Sequence, residues 1–231
     1  MSHNPIICAI DNQDYDITNK LVASIHQSVG LLKFGLEFII SNGLHGVEKL
    51  MTPYEVPLFI DLKLYDIKNT VYKSINALAK YDMNIKFLSI HAHNGRDCIV
   101  AAQEIAYKLN IDLAVVTVLT SFDQSDLLYN GINSNILDYI VSIIEKNIAI
   151  GIKTFVVSPA ELLYLRSKFD KDITLITPGI RLVDDSNDDQ KRIMTPQEAI
   201  SNGADYLVIG RSITNSISPK ETIEEIRKNI L

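Results

Sequence analysis

Three charged residues stand at positions i, i+2 and i+5 of the stretch Phe59-Ile60-Asp61-Leu62-Lys63-Leu64-Tyr65-Asp66-Ile67. The stretch begins as an apolar strand. Side chains on a strand alternate faces, so the spacing predicts Asp61 and Lys63 on one side and Asp66 in the turn beyond. Carboxylates and an ammonium group buried at a strand end are costly unless they satisfy one another. A strand that carries such a cluster is a candidate chemical site, and its groups offer charge stabilisation and proton transfer. A structural ion pair closing the strand is the plainer alternative.

The rest of the chain supplies a frame for this cluster. Apolar, β-branched runs recur at 6–10, 31–35, 56–64, 85–91, 113–119, 154–157, 173–177 and 206–209. Helical patterns lie between them. Residues 16–29 place Ile17, Leu21, Ile25 and Val29 on one face, and residues 69–81 do the same with Val71, Ile75, Leu78 and Ala79. A helix over 37–50 is interrupted by Gly43 and Gly46. Further helices follow at 97–109 and 136–149, after Pro159 and Pro196, and from Ser218 or Pro219. Strands alternating with helices imply parallel βαβ units, and eight such units predict a single α/β TIM (β/α)8 barrel over residues 1–231. An open doubly wound sheet is the alternative, but no Gly-rich dinucleotide fingerprint follows the first run.

Composition narrows the function class. The chain has 231 residues, 47% of them hydrophobic, and a net charge of −6. That balance favours neither nucleic acid nor an anionic membrane surface as a partner. No apolar run reaches the ~18–20 residues of a spanning helix. The first strand starts too early to leave room for a signal peptide. Cys8 and Cys98 form no CxxC pair and lie in apolar surroundings, which predicts free buried thiols and a cytoplasmic protein.

The C-terminal ends of the runs collect the polar residues: Asp11, Lys33, the Asp61–Lys63–Asp66 cluster, His91 and His93, Thr120, Gly179 with Arg181, and Gly210 with Arg211. In a TIM barrel this end is the catalytic face, and the loops after strands seven and eight often bind phosphate. Here those loops read Pro178-Gly179-Ile180-Arg181 and Ile209-Gly210-Arg211-Ser212. Glycines let backbone N–H groups approach an anion, and arginines fork onto its oxygens. The polar segment 182–195 is placed to act as a lid over it.

Taken together, Asp61-Leu62-Lys63-Leu64-Tyr65-Asp66-Ile67, Thr177-Pro178-Gly179-Ile180-Arg181 with Asp189-Gln190, and Val208-Ile209-Gly210-Arg211-Ser212-Ile213 resemble the orotidine 5′-monophosphate decarboxylase family, in its bacterial-type branch. Ala9-Ile10-Asp11, Lys33-Phe34-Gly35 and Leu119-Thr120-Ser121 extend the likeness over essentially the whole chain. Tyr65 and Lys68 depart from the His and Pro common in that branch, and the 91–95 stretch departs from its usual His-Ala-x-Gly-Gly.

The resemblance implies a decarboxylase without metal or cofactor that converts orotidine 5′-monophosphate to uridine 5′-monophosphate in pyrimidine biosynthesis. It also implies a homodimer with shared sites. Lys33, Asp61 and Lys63 would serve their own chain's site, with Asp66, Ile67 and Thr70 reaching the partner's. Asp11 and Lys33 would hold the ribose hydroxyls, and Thr120 the pyrimidine. Gln190, Gly210 and Arg211 would hold the phosphate, supported by Pro178 and Arg181. Loss of CO2 leaves negative charge at C6, and a fixed ammonium beside it stabilises that charge and supplies the proton. Lys63, flanked by two carboxylates in sequence, fits that role.

Three other readings compete. A Mg2+-dependent sugar-phosphate decarboxylase or aldolase of the same barrel superfamily shares the DxKxxD spacing, but its strand-two position is typically acidic, whereas Lys33 repels a cation. A metal-dependent epimerase would use His91 and His93 as ligands, but no second His pair stands at another strand end. A binding module needs no Lys between two Asp residues.

Overall fold

The structure, a computed structural model, describes residues 4–182 and 194–230. Eight parallel strands form its centre: β1 (Ile6–Ile10), β2 (Leu31–Gly35), β3 (Leu58–Leu64), β4 (Ile85–His91), β5 (Asp112–Val116), β6 (Thr154–Val156), β7 (Thr174–Thr177) and β8 (Tyr206–Ile209). Each pairs with the next, and Ile7 opposite Val208 closes β8 onto β1. The sheet is therefore a closed barrel rather than the open alternative.

Around it lie α1 (Tyr15–Ile25), α2 (Leu36–Met51), α3 (Lys68–Ala77), α4 (Arg96–Lys108), α5 (Gln124–Tyr129), α6 (Ile136–Ile148), α7 (Leu162–Phe169), α8 (Pro196–Ser201), α9 (Arg211–Thr214) and α10 (Pro219–Ile230).

Strand alternation splits the core in two. One set of residues, including Ile6, Cys8, Leu32, Phe34, Leu58, Ile60, Leu88 and Phe155, packs outward against the helices. The other set, including Ile7, Ala9, Leu31, Phe59, Phe87, Ala114, Val116, Ile176 and Val208, fills the barrel. Phe59 and Phe87 meet edge to face with ring centroids 5.9 Å apart, and Phe87 meets Tyr206 at 5.2 Å. Each such side chain, fully buried, contributes about 1.5–3 kcal/mol. This apolar plug closes the lower barrel. The next inward positions toward the C-terminal end are Asp11, Lys33, Asp61 and Ser89, so the same two-residue period that builds the plug sets polar groups on top of it.

Charges at the opposite end do structural work. Arg166 of α7 bonds the carbonyls of Gly203 and Ile173 at 2.7 and 2.9 Å and pairs with Asp205, whose carboxylate also accepts the Leu175 N–H at 2.7 Å.

Several expectations need correction. Ile17 does not belong to the buried face of α1; it is 55% exposed, and Thr18, Val22 and Ile25 face the barrel instead. The Asp14 carboxylate caps the helix on the Ile17 N–H, and a stripe starting at 18 leaves Ile17 about 100° off the contact. Ala79 is likewise exposed, because the chain tightens into a 3-10 turn over Leu78–Lys80. The expected break in the second helix falls at Gly43 (φ 69°), while Gly46 stays helical. The connection after β5 carries a helix of its own, α5, started by an Asp123–Asp126 capping box. Cys8 and Cys98 are free and buried, as predicted. Burial pushes the Cys8 thiol up to about 12, helped by the nearby Asp11 charge.

Candidate active site

Four charged groups alternate in sign across the barrel mouth. Lys33 Nζ lies 3.2 Å from Asp11 Oδ1 and 3.5 Å from Asp61 Oδ2. Lys63 Nζ lies 3.0 and 2.9 Å from the two oxygens of Asp61. Asp61 and Lys33 are buried, each 8% exposed, so the middle of the row sits inside the fold, while Asp11 and Lys63 at its two ends reach solvent. Gly35 leaves it room: a Cβ there would stand 3.2 Å from Lys33 Nζ and 3.3 Å from Asp11 Oδ1.

Simple alternation predicts that Asp61 and Lys63 share a face. The two side chains do meet, but not through a regular strand. Ile60 pairs with Leu88, and the next register pair is Leu64 with Ile90. Asp61, Leu62 and Lys63 therefore span the place of one residue, Ser89. Lys63 takes a left-handed backbone (φ 45°), an uncommon conformation for a residue with a side chain. Such strain persists where surrounding contacts enforce it, and it concentrates at functional sites.

Burial alone raises the Asp61 carboxyl, but the Lys33 and Lys63 charges and hydrogen bonds from Lys63 and Ser89 outweigh it, holding the group below the usual carboxylate range. Asp61 thus stays ionised between two ammonium groups.

Above the row opens a cavity of about 500 Å3. Asp11, Lys33, Asp61, Lys63, Thr120, Pro178, Arg181, Gly210 and Arg211 all line it. These are nine of the positions named from sequence, brought together from six strand ends. Gly179 takes a left-handed φ of 82° on the same wall. The base of the expected lid is closed: the Arg181 N–H donates to the Met194 carbonyl at 3.1 Å, and the Met194 N–H to the Gly179 carbonyl at 3.3 Å. Gln190 and most of the 182–195 lid lie outside the described residues.

Comparison with known proteins fits this arrangement. Residues 4–226 match the family described as orotidine 5′-phosphate decarboxylase / HUMPS. The chain belongs to this family. A protein of Ehrlichia canis (strain Jake) named orotidine 5′-phosphate decarboxylase is 40% identical over 227 residues, covering 98% of each chain. A protein of the same name from Rhodospirillum rubrum is 37% identical, covering 100% of this chain and 96% of its own. The crystal structure of orotidine 5′-phosphate decarboxylase from Lactobacillus acidophilus superposes with a TM-score of 0.81 at 30% identity, covering 98% of this chain and 99% of the other.

Within this orotidine 5′-phosphate decarboxylase / HUMPS fold, not every expected residue joins the cavity. Asp66, Ile67 and Thr70 are exposed and do not line it. Asp66 sits in the turn after β3, its N–H bonded to Asn94 Oδ1 at 3.0 Å and its carboxylate accepting from the Ile67 N–H at 2.6 Å. Within one chain Lys63 therefore meets one carboxylate, Asp61, rather than the two its sequence neighbours suggest.

His91 ends β4 and His93 lies in the 3-10 turn Ala92–Asn94. Their Nδ1 atoms are 2.9 Å apart, and His93 Nε2 bonds the Tyr139 hydroxyl at 2.7 Å. Burial, reinforced by His93 and Lys63, pushes His91 down to about 4. Both Nδ1 atoms and His93 Nε2 are engaged in these contacts, and no cluster of three or more potential metal ligands forms among the described residues.

Two polar residues beyond those expected from the sequence join the cavity or its floor. Glu37 lines the cavity from the first turn of α2. Ser89 is fully buried and bonds both Asp61 and Lys63. Its signal was a lone polar residue at an inward position of an otherwise apolar run.

Proposed function

We propose that this chain is a carboxy-lyase that converts orotidine 5′-monophosphate to uridine 5′-monophosphate and CO2 in pyrimidine biosynthesis. The observation that carries the reading is the row Asp11–Lys33–Asp61–Lys63 on the floor of the cavity, with two arginines on its rim. Family membership and the full-length similarity to decarboxylases point to the same reaction.

In this reading the phosphate is held by Gly210, Arg211 and Gln190, with Pro178 and Arg181 shaping its pocket. Asp11 and Lys33 take the ribose hydroxyls, and Thr120 meets the pyrimidine. That arrangement brings C6 over Lys63. The bond from C6 to the carboxylate breaks, CO2 leaves, and the electron pair stays at C6. The Lys63 ammonium stabilises that charge and then delivers its proton to the carbon. Charges fixed before the reaction need no reorganisation during it, and they accelerate it only as far as they favour the transition state over the substrate. Asp61, held ionised, fixes the ammonium in place.

The residues argue for a reaction without metal or cofactor. Lys33 Nζ stands 3.5 Å from Asp61 Oδ2, where a metal-dependent relative needs an acidic ligand and a divalent cation. Asp66, Ile67 and Thr70 are assigned to the site of a second copy in a homodimer. Their exposure outside their own cavity supports this, as does the exposure of Tyr65 and Ile67 at 68% and 71%. Residues 1–231 are assigned to one catalytic domain. Two free thiols support a cytoplasmic location. No described helix is long and apolar enough to cross a membrane.

The test is the ultraviolet absorbance of orotidine 5′-monophosphate, followed with and without a strong chelator. Loss of absorbance unaffected by chelation is expected. No loss over hours at micromolar protein refutes the decarboxylase reading, and activity that chelation abolishes refutes the metal-free one.

A further inference from the structure

The register slip in β3 leaves a backbone group that the barrel itself does not satisfy. Between the pairs Ile60–Leu88 and Leu64–Ile90, three residues of β3 face one of β4, so the strand ladder has no regular partner for the middle of the slip. The Lys63 N–H falls there. It donates instead to the side chain of Ser89, at 2.7 Å. With its oxygen so engaged, the Ser89 hydroxyl proton points to Asp61 Oδ1, also at 2.7 Å. Ser89 is fully buried, so no solvent competes for either bond.

One hydroxyl thus touches both members of the Asp61–Lys63 pair. It accepts from the backbone of Lys63 at the residue whose φ is 45°, and it donates to the carboxylate that holds the Lys63 ammonium at 2.9 and 3.0 Å. A left-handed lysine backbone needs an enforcing contact, and an acceptor for its N–H supplies one. Asp61 has two oxygens and two ammonium neighbours. The bond from Ser89 fixes the Oδ1 edge, leaving Oδ2 as the oxygen nearer Lys33.

We propose that Ser89 is a positioning residue for Lys63. Its hydroxyl holds the slipped segment of β3 and the Asp61 carboxylate in the one arrangement that aims the ammonium into the cavity. The inference rests on the decarboxylase reading of the site. It adds a residue that makes no contact with substrate in that reading and acts through Lys63 and Asp61.

The test compares Ser89→Ala, Ser89→Thr and Ser89→Val with the unaltered chain. Thr and Val share their shape and differ in the hydroxyl, so they separate hydrogen bonding from packing. Three quantities are read: kcat and KM for orotidine 5′-monophosphate, affinity for uridine 5′-monophosphate, and hydrogen exchange at the Lys63 amide.

Loss of one or two bonds to charged groups predicts kcat lower by about 10- to 100-fold in Ser89→Ala. Product affinity is expected to change by less than about threefold, since the phosphate and ribose contacts remain. Thr restores kcat to within about fivefold of Ser, while Val behaves as Ala, and the Lys63 amide exchanges faster in Ala and Val only. If Ser89→Ala does not fold, the Thr and Val pair decides alone.

The proposal is overturned if a folded Ser89→Ala keeps kcat within about threefold, if Val is as active as Thr, or if product affinity falls as far as kcat. Failure of the unaltered chain to decarboxylate orotidine 5′-monophosphate instead overturns the reading of the site. In that event amide exchange still decides whether Ser89 holds Lys63.

Discussion

Replacing Asp61 with Asn removes one charge and almost no volume. The carboxylate lies 2.9 and 3.0 Å from Lys63 Nζ and 3.5 Å from Lys33 Nζ, and it is 8% exposed. At an effective dielectric near 20, each ammonium contributes roughly 5 kcal/mol of gross attraction. Desolvation cancels most of that while the pair is intact. When one member of a buried pair is removed, the charge left behind costs about 3–5 kcal/mol. Asp11 remains for Lys33, and Lys63 is partly solvated, so the lower end, about 3 kcal/mol, is expected.

In a chain of 231 residues, 1 kcal/mol shifts Tm by about 2–4 °C. Asp61→Asn should therefore lower Tm by about 6–12 °C at pH 7. The pH dependence has a definite sign. The folded carboxyl is held below its unfolded value of about 3.9, so its stabilisation is fully present above that value and is lost as pH falls through the lower folded one. The gap in Tm between the unaltered chain and Asp61→Asn stays constant from pH 7 to about 4 and closes below it. Scanning calorimetry across this range is the assay. A gap under about 2 °C at pH 7, or one that widens in acid, would refute the picture of a buried, ionised Asp61 stabilised by two ammonium groups.

Three further predictions concern Lys63, Asp66 and His91. Lys63→Ala should abolish turnover while product affinity stays within about tenfold. If Asp66 serves the partner's site, mixing Lys63→Ala with Asp66→Asn should restore about a quarter of full activity, because half the dimers are mixed and each holds one intact site. Heterodimers without activity would rule out sharing. His91 is pushed down to about 4 in the folded chain against about 6.5 unfolded, so it erodes stability as pH falls from 6.5 toward 4. Solvent screens a half-buried ring, so His91→Asn is expected to recover about 1 kcal/mol of stability at pH 5 relative to pH 7. Denaturant titration at the two pH values measures this, and an unchanged difference rejects it.

Periodicity was enough for the barrel. Eight apolar runs separated by helical patterns leave few ways to bury every face, and parallel strands with their C-terminal ends at one mouth are the result. The same period made Asp11, Lys33, Asp61, Thr120, Gly210 and Arg211 legible as residues of the barrel mouth, where they line one cavity, because position at a strand end is a property of the sequence pattern. The face of α1 is not legible in the same way, because Ile17 and Thr18 differ by one position and only packing against the barrel chooses between them.

What the sequence could not contain is the slip between β3 and β4. Register belongs to two strands at once. Three residues opposite one cannot be seen in either strand alone. The spacing of Asp61 and Lys63 predicted that they meet, and they do, yet a regular strand is not what joins them. The left-handed backbone of Lys63, the Ser89 hydroxyl beneath it and the outward placement of Asp66 all follow from that slip and from the turn after it. Residue types and spacing determined which charges stand at the barrel mouth. Tertiary pairing decided how they face one another, because only a neighbouring strand supplies the partner for a backbone group that its own strand leaves unbonded.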